Sequence, residues 1–278
     1  MSLPAPDYLA VGHLSRDRLP DGGFRWGGTV LYAAATAAAM GERAAILARA
    51  GDEAPLPALP GVELRALLSA RTTTFRNDYD ATGGRKQVLE ARAEPLGLDH
   101  LPAAWHGAAI LHVAPVMGEC ESSLLEAEAA FRGLTPQGFL RRVDAEGRIH
   151  PAPWPEAETL LSRCDAVVLS VEDVGGAVAQ VERWARRVPL LVLTNGATGG
   201  WFFVEGQRHP YAAFPARLVD PTGAGDIFAA ALFVALRRGW GVEAAVRLAA
   251  CLAAASVERP GLEGVPDAAA LHACGWSG

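Results

Sequence analysis

Short apolar runs alternate with helix-length segments along most of this chain, and that alternation limits its fold more than any other feature. The pattern is most regular from residue 107. GAAILHVAPV reads as a strand, ESSLLEAEAAFRG as a helix and QGFLRRV as another strand. DAVVLSVED (165–173) is an apolar strand ending in acids, GAVAQVERWARRV a helix, and PLLVLTNGATGG (189–200) a strand that breaks into glycines. WFFVEGQRHPYAAF is hairpin-like, two helices follow at roughly 224–238 and 242–257, and a short helix follows Pro266. Upstream, DYLAVG (7–12) reads as a buried strand, GGTVLYAAATAAAMG (27–41) as a helix closed by Gly41, and AAILARAG (44–51) as a further apolar run. The expected fold class is therefore α/β: a doubly wound, mostly parallel sheet flanked by helices. Residues 72–92, TTTFRNDYDATGGRKQVLEAR, give two β-prone runs joined by a glycine-containing turn, too polar for core strands, so they belong at an edge or over a cleft. With no repeat and no long linker, residues 1–278 read as a single domain with a small β elaboration.

Composition narrows the function classes. Half the residues are hydrophobic, enough for a sizeable core, and the net charge of −6 argues against nucleic acid as a partner. No apolar stretch approaches the ~20 residues of a membrane span, and no signal peptide is visible, so the expectation is a cytoplasmic protein without a membrane partner. The four cysteines (120, 164, 251 and 274) lack zinc-site spacing, and small buried thiols are the expected reading. Lys86 is the sole lysine among 25 basic residues, so cationic work at any site falls mainly to arginine.

The chemistry concentrates in DPTGAGDIFAAALFVALRRG (220–239). In doubly wound sheets ligands gather at strand carboxyl ends and helix N-termini, where unpaired N–H groups and the helix dipole favour anions. Gly223, Ala224 and Gly225 leave almost no side chain to block an approaching oxygen, and Ile227, Phe228, Ala231, Leu232, Ala235 and Leu236 form the apolar stripe of the helix behind them. A carboxylate beside an anion site repels the anion unless it has work to do, and Asp226 could take a proton from a hydroxyl attacking a bound phosphoryl group. An ordinary glycine turn with Asp226 as a helix-entry residue explains one glycine and the acid. On the residues alone both readings stay open.

DPTGAGDIF resembles the C-terminal signature of the ribokinase/PfkB family of carbohydrate and nucleoside kinases, written D-T-x-G-A-G-D-x-F, with Pro221 in place of the second-position Thr. The resemblance implies that Asp226 is the catalytic base, that the amides of Gly223, Ala224 and Gly225 form an anion hole, and that Asp220 and Thr222 fall where several members bind a monovalent cation such as K⁺. It extends over most of the chain. VGHLSRD (11–17) resembles the first strand, which implies that Asp17 binds substrate hydroxyls. WGGTVLYAAATAAAMG resembles the N-terminal signature, implying substrate contacts from Gly27 and Gly28, with Thr29 where Asn is common. LVLTNGATGG resembles the strand and turn under the nucleotide, implicating Thr194, Gly196 and Gly199, and AAASVERPGLEGVP resembles the adenine-side helix and loop. The 72–92 hairpin, with about 13–26, corresponds to a β lid over the sugar. SVED stands where the family has N-x-x-E, so Glu172 or Asp173 would serve Mg²⁺ through water; a polar strand end capping the next helix is the plainer alternative.

Further candidates are read from position. Arg76 and Asn77 on the hairpin reach toward a sugar or phosphate, or are solvated edge residues; Trp26 packs a substrate ring or anchors the lid; His13 and His112 at strand ends are more often structural than catalytic. The expectation is an ATP- and Mg²⁺-dependent kinase for a hydroxyl of a sugar or polyol, with a homodimer through the lid edge as an open partner arrangement. A nucleoside kinase and a non-catalytic sugar or nucleotide sensor are the alternatives. A nicotinamide oxidoreductase is weaker, because no strand leads into G-x-G-x-x-G.

Overall fold

A computed structural model describes residues 5–19, 21–79 and 85–277. The chain opens with β1 (Tyr8–Val11), β2 (Ser15–Arg18), β3 (Phe24–Gly27) and α1 (Thr29–Ala39). The strands β4 (Ala44–Ala50), β5 (Val62–Leu68), β6 (Thr73–Tyr79), β7 (Arg85–Ala91), β8 (Ile110–Val113) and β9 (Arg132–Leu134) follow. Next come β10 (Arg141–Val143), β11 (Ile149–Pro151), α2 (Ala157–Leu161), β12 (Ala166–Ser170), α3 (Val178–Trp184) and β13 (Leu190–Thr194). The hairpin β14 (Gly200–Val204) and β15 (Gln207–Tyr211) precedes α4 (Ala224–Arg237), α5 (Val242–Ser256) and α6 (Ala268–Ala273).

The main sheet runs β15-β14-β13-β12-β9-β8-β1-β4-β5. Seven strands are parallel, and the β14–β15 hairpin adds antiparallel to β13 at one edge. Its central strands are largely apolar on both faces because both faces are covered, with His112 of β8 a buried polar exception. Tyr8 and Ala10 of β1 and Ala166 and Val168 of β12 pack with α1, α4 and α5. Leu9, Val11, Val167 and Leu169 point the other way, toward α2 and α3. Helix α4 is buried from Ile227 through Ala235, as its apolar stripe requires. Its close approach to the sheet depends on Gly133 of β9, where a Cβ would stand 2.4 Å from the Phe233 ring.

A second sheet, β3-β2-β6-β7, lies outside this sandwich. Its β6–β7 hairpin carries the polar 72–92 stretch; the glycine-containing turn between the strands lies outside the described residues. Strand order reverses beside β1, which neighbours β4 on one side and β8 on the other, and the loops leaving the carboxyl ends there open a crevice.

Three local expectations are corrected. ESSLLEAEAAFRG is not an α-helix: one 3₁₀ turn over Ser122–Glu126 gives way to extended chain. From Leu125 on, inward positions fall at 125, 127 and 129, a period of two, and Ala129 bridges in parallel to Ala108 at the sheet. QGFLRRV supplies no core strand. Pro136–Leu140 forms a 3₁₀ turn and Arg141–Val143 pairs with β11, while the core strand is the short β9 upstream. Cys251 and Cys274 are not thiols but a disulfide joining α5 to the end of α6, with Cα atoms 5.7 Å apart. Cys120 and Cys164 are buried free thiols. Among the described residues no helix is long and apolar enough to cross a membrane.

Candidate active site

The carboxyl ends of β12 and β13, the first turns of α1 and α4, one face of α5 and the inner side of the small sheet line one cavity of about 570 Å³. At its centre the chain turns from Asp220 into α4. One Asp220 carboxylate oxygen accepts from the Thr222 N–H at 2.9 Å, an Asx turn spanning Pro221. Proline suits the middle of that turn because its φ is preset and no N–H is needed from it, which accounts for its place in the motif. Gly223 then takes φ +82°, and a Cβ there would stand 2.3 Å from the Tyr32 ring, so both backbone and space demand glycine. A Cβ on Gly225 would meet nothing within 4 Å; its absence leaves room for a ligand rather than for protein. The Ala224 N–H closes the turn onto Pro221 O at 3.3 Å, a long bond that an incoming oxyanion can displace.

Asp226 follows in the first helical turn, half-buried at the cavity wall. Burial is the main cause that pushes its carboxyl up to about 7; the Asp173 carboxylate adds to the rise, while a Thr29 hydrogen bond and the Arg141 charge oppose it. Thr29, the first residue of α1, thus holds the acid rather than only facing substrate. Asp17, Gly28 and Thr29 share this cavity with Gly223, Ala224, Gly225 and Asp226, and Thr222 lines it as well. Gly27 stands behind Asp17, where a Cβ would lie 2.9 Å from Asp17 Oδ2. Arg76 is not among the lining residues and pairs with Glu90 at 3.2 Å.

Thr194, Gly196 and Gly199 line the cavity along with Glu172 and Asp173. Asp173 and Ser170 bond reciprocally: the Ser170 N–H donates to Asp173 Oδ2 at 2.8 Å and the Asp173 N–H to Ser170 Oγ at 3.1 Å. This is the strand-end cap expected as the plainer alternative, yet both acids still line the cavity. Among the described residues no cluster of three metal-ligating side chains forms, so a metal here would depend on ligand oxygens. Two hard carboxylates beside the open Gly223–Gly225 turn fit Mg²⁺, which keeps waters and phosphate oxygens as its main ligands. Asp220 does not fit a monovalent cation in the same way, because Arg25 Nη1 already stands 2.6 Å from its Oδ2.

Several lining residues lie outside the motifs. Phe75, Gln87, Val116, Thr135, Gln137 and Arg141 enclose the Asp17 end. Arg141 donates to Val116 O at 3.1 Å, and its doublet with Arg142 looks like solvated surface in sequence. Ala213, Phe214, Ala216 and Leu218 face Ala250, Ala253, Ala254 and Val257 of α5 in an apolar slot at the other end. Tyr32 lies within electrostatic reach of Asp226, Asp220, Asp17 and Arg25, and its buried hydroxyl has no hydrogen-bond partner among the described residues. The histidines are structural: His13 bonds Thr73 Oγ1 and Glu94 O, and His112 sits between the Tyr8 hydroxyl and Thr135.

Known proteins resemble this chain in sequence and fold. Residues 155–268 match the pfkB family carbohydrate kinases. A cytidine kinase of Thermococcus kodakarensis is 25% identical over 266 residues, 87% of this chain and 92% of that one. A fructokinase of Escherichia coli is 27% identical over 76% of each chain. A solved pyrophosphate-dependent kinase of the ribokinase family, complexed with a pyrophosphate analog and myo-inositol, superposes with a TM-score of 0.78 at 24% identity, covering 92% of this chain and 98% of its own. The ribokinase-like fold, the pfkB-matched segment 155–268 and these kinase-named relatives together support a phosphotransferase that acts on an alcohol group.

Proposed function

We propose that the protein moves the γ-phosphoryl group of ATP to a hydroxyl of a sugar or polyol, with Asp226 as general base. The observation that carries this reading is Asp226 itself, a carboxylate raised to about 7, next to an open glycine turn and in one cavity with Asp17. A base near neutrality can hold a hydroxyl's proton in the transition state and return it to solvent afterwards. Asp17 accepts hydrogen bonds from neighbouring hydroxyls and orients the attacking one. The amides around Gly223–Gly225 and the α4 dipole stabilise charge on the transferring group.

Kinases of this family use ATP with a divalent cation. Glu172 and Asp173 would hold Mg²⁺ through water, and the ion would supply charge neutralisation on the phosphates. Thr194, Gly196 and Gly199 border the donor, and the apolar slot between Ala213–Leu218 and α5 suits the two faces of an adenine ring. That slot favours ATP over pyrophosphate as donor. The small sheet, contributed by about 13–26 and 72–92 of a single domain, acts as a lid that excludes water from the transfer. A nucleoside acceptor is the second reading, favoured by the apolar wall of Phe75 and Val116 at the acceptor end.

The test is phosphoryl transfer from ATP and from pyrophosphate to a panel of sugars, polyols, sugar acids and nucleosides. ATP-dependent product is expected, and Asp226→Asn should lower kcat by about a thousandfold or more while acceptor affinity changes little. Near-wild-type turnover in that variant defeats the base assignment. No product from any acceptor favours a sugar or nucleotide sensor.

A further inference from the structure

Asp220 lies at the foot of the anion-binding turn, and two segments distant in sequence converge with its own turn on its carboxylate. Arg25 Nη1, from β3 of the small sheet, stands 2.6 Å from Oδ2. The Gly261 N–H, from the loop after α5, donates to the same oxygen at 3.0 Å, and the Thr222 N–H donates to Oδ1 at 2.9 Å. The arginine stem has a seat made for it. Gly261 has φ +52°, and a Cβ there would stand 3.2 Å from Arg25 Cδ. Arg25 is also the cross-strand partner of Asp17, the carboxylate placed toward the acceptor.

We propose that the Arg25 guanidinium is the fixed cation of this site, holding Asp220, and through it the Thr222–Gly225 turn, in place of a monovalent ion. The proposal rests on the reading of Gly223–Gly225 as the anion hole. Its physical case is occupancy. An ion entering at Asp220 would meet a carboxylate already committed to three donors and a like charge on one of them. A tethered guanidinium does the same electrostatic work without an entropy cost of ion capture, and its planar fork keeps direction as well as charge. An ordinary surface ion pair would not need the Gly261 seat or the two backbone donors. Nor would it sit on the chain segment that aims the helix N–H groups. Arg25 is a positioning residue: it acts on the phosphoryl group through Asp220 and the turn.

The experiment compares wild type, Arg25→Gln and Arg25→Lys in potassium chloride and in tetramethylammonium chloride at equal ionic strength, reading initial rates of ATP-dependent transfer and Tm. Wild type is expected to show the same kcat and the same Tm in both salts. Arg25→Gln should lose about tenfold or more in kcat in tetramethylammonium and recover several-fold in potassium, with a potassium-specific rise in Tm. Arg25→Lys keeps the charge and should stay indifferent to potassium even if Arg25→Gln fails to fold. Potassium activation of wild type overturns the proposal, and so does an Arg25→Gln rate that potassium leaves unrestored. Absence of any phosphorylated product from wild type defeats the kinase reading instead, and the Tm comparison then still decides whether Arg25 takes the place of the ion.

Discussion

Asp226 is stabilised as an acid, whereas the base role proposed for it needs the ionised form, and that conflict can be read from the outside. Its folded pKa, about 7, lies above its ordinary value of 3.8, chiefly through burial. The folded state therefore binds more protons than the unfolded one between those values, and this carboxyl's contribution to stability falls as pH rises through that window. Asp226→Asn should add about 1–2 kcal/mol at pH 8, roughly 2–6 °C in Tm, and less at pH 4. Melting curves at both values check the sign; equal shifts at both would refute the raised pKa. The same carboxyl predicts a kcat/KM profile that rises through pH 7, as the base must be deprotonated. Asp173→Asn removes a like charge and should move that limb to lower pH, whereas Arg141→Gln should move it higher.

Elements show which parts of the chain were legible and why. Helix α4 and its entry are readable because an apolar period of 3.6 begins at a glycine whose conformation only glycine adopts comfortably, so pattern and local sterics agree. Residues 121–133 mislead because Leu124 and Leu125 start a helix-like pattern that sheet pairing then overrides. The edge strand Val62–Leu68 escapes notice because VELRALL carries charges on the face that looks outward. Arg25, Tyr32 and Arg141 gather at the site through tertiary packing alone, and no spacing in the sequence announces them. The disulfide belongs to the same class: Cys251 and Cys274 are 23 residues apart with no motif between them. It ties α6 to α5, the helix that walls the apolar slot. Replacing both cysteines by serine should lower stability by about 2–4 kcal/mol, the loop-closure entropy of a ring that size. Denaturant unfolding with and without reductant measures it; a double variant as stable as the oxidised protein would show that the bond adds no net stability.

At the scale of the whole molecule, the cavity has two chemically distinct ends meeting at one turn. The small sheet brings Asp17, Phe75 and Gln87 to one end, α5 brings Ala250, Ala253 and Ala254 to the other, and α4 presents Asp226 between them. Because different elements build the two ends, acceptor and donor recognition should separate under mutation. Asp17→Asn loses charge-assisted hydrogen bonds to acceptor hydroxyls and should lower kcat/KM for the acceptor by about ten- to hundredfold, leaving KM for ATP within about twofold. Ala254→Phe fills the apolar slot and should raise KM for ATP by about tenfold with little effect on acceptor KM. Bisubstrate kinetics on the two variants decide the matter. If either substitution shifts both Michaelis constants together, the ends are coupled through closure of the small sheet, and the cavity works as one induced-fit unit rather than two independent sites around Asp226.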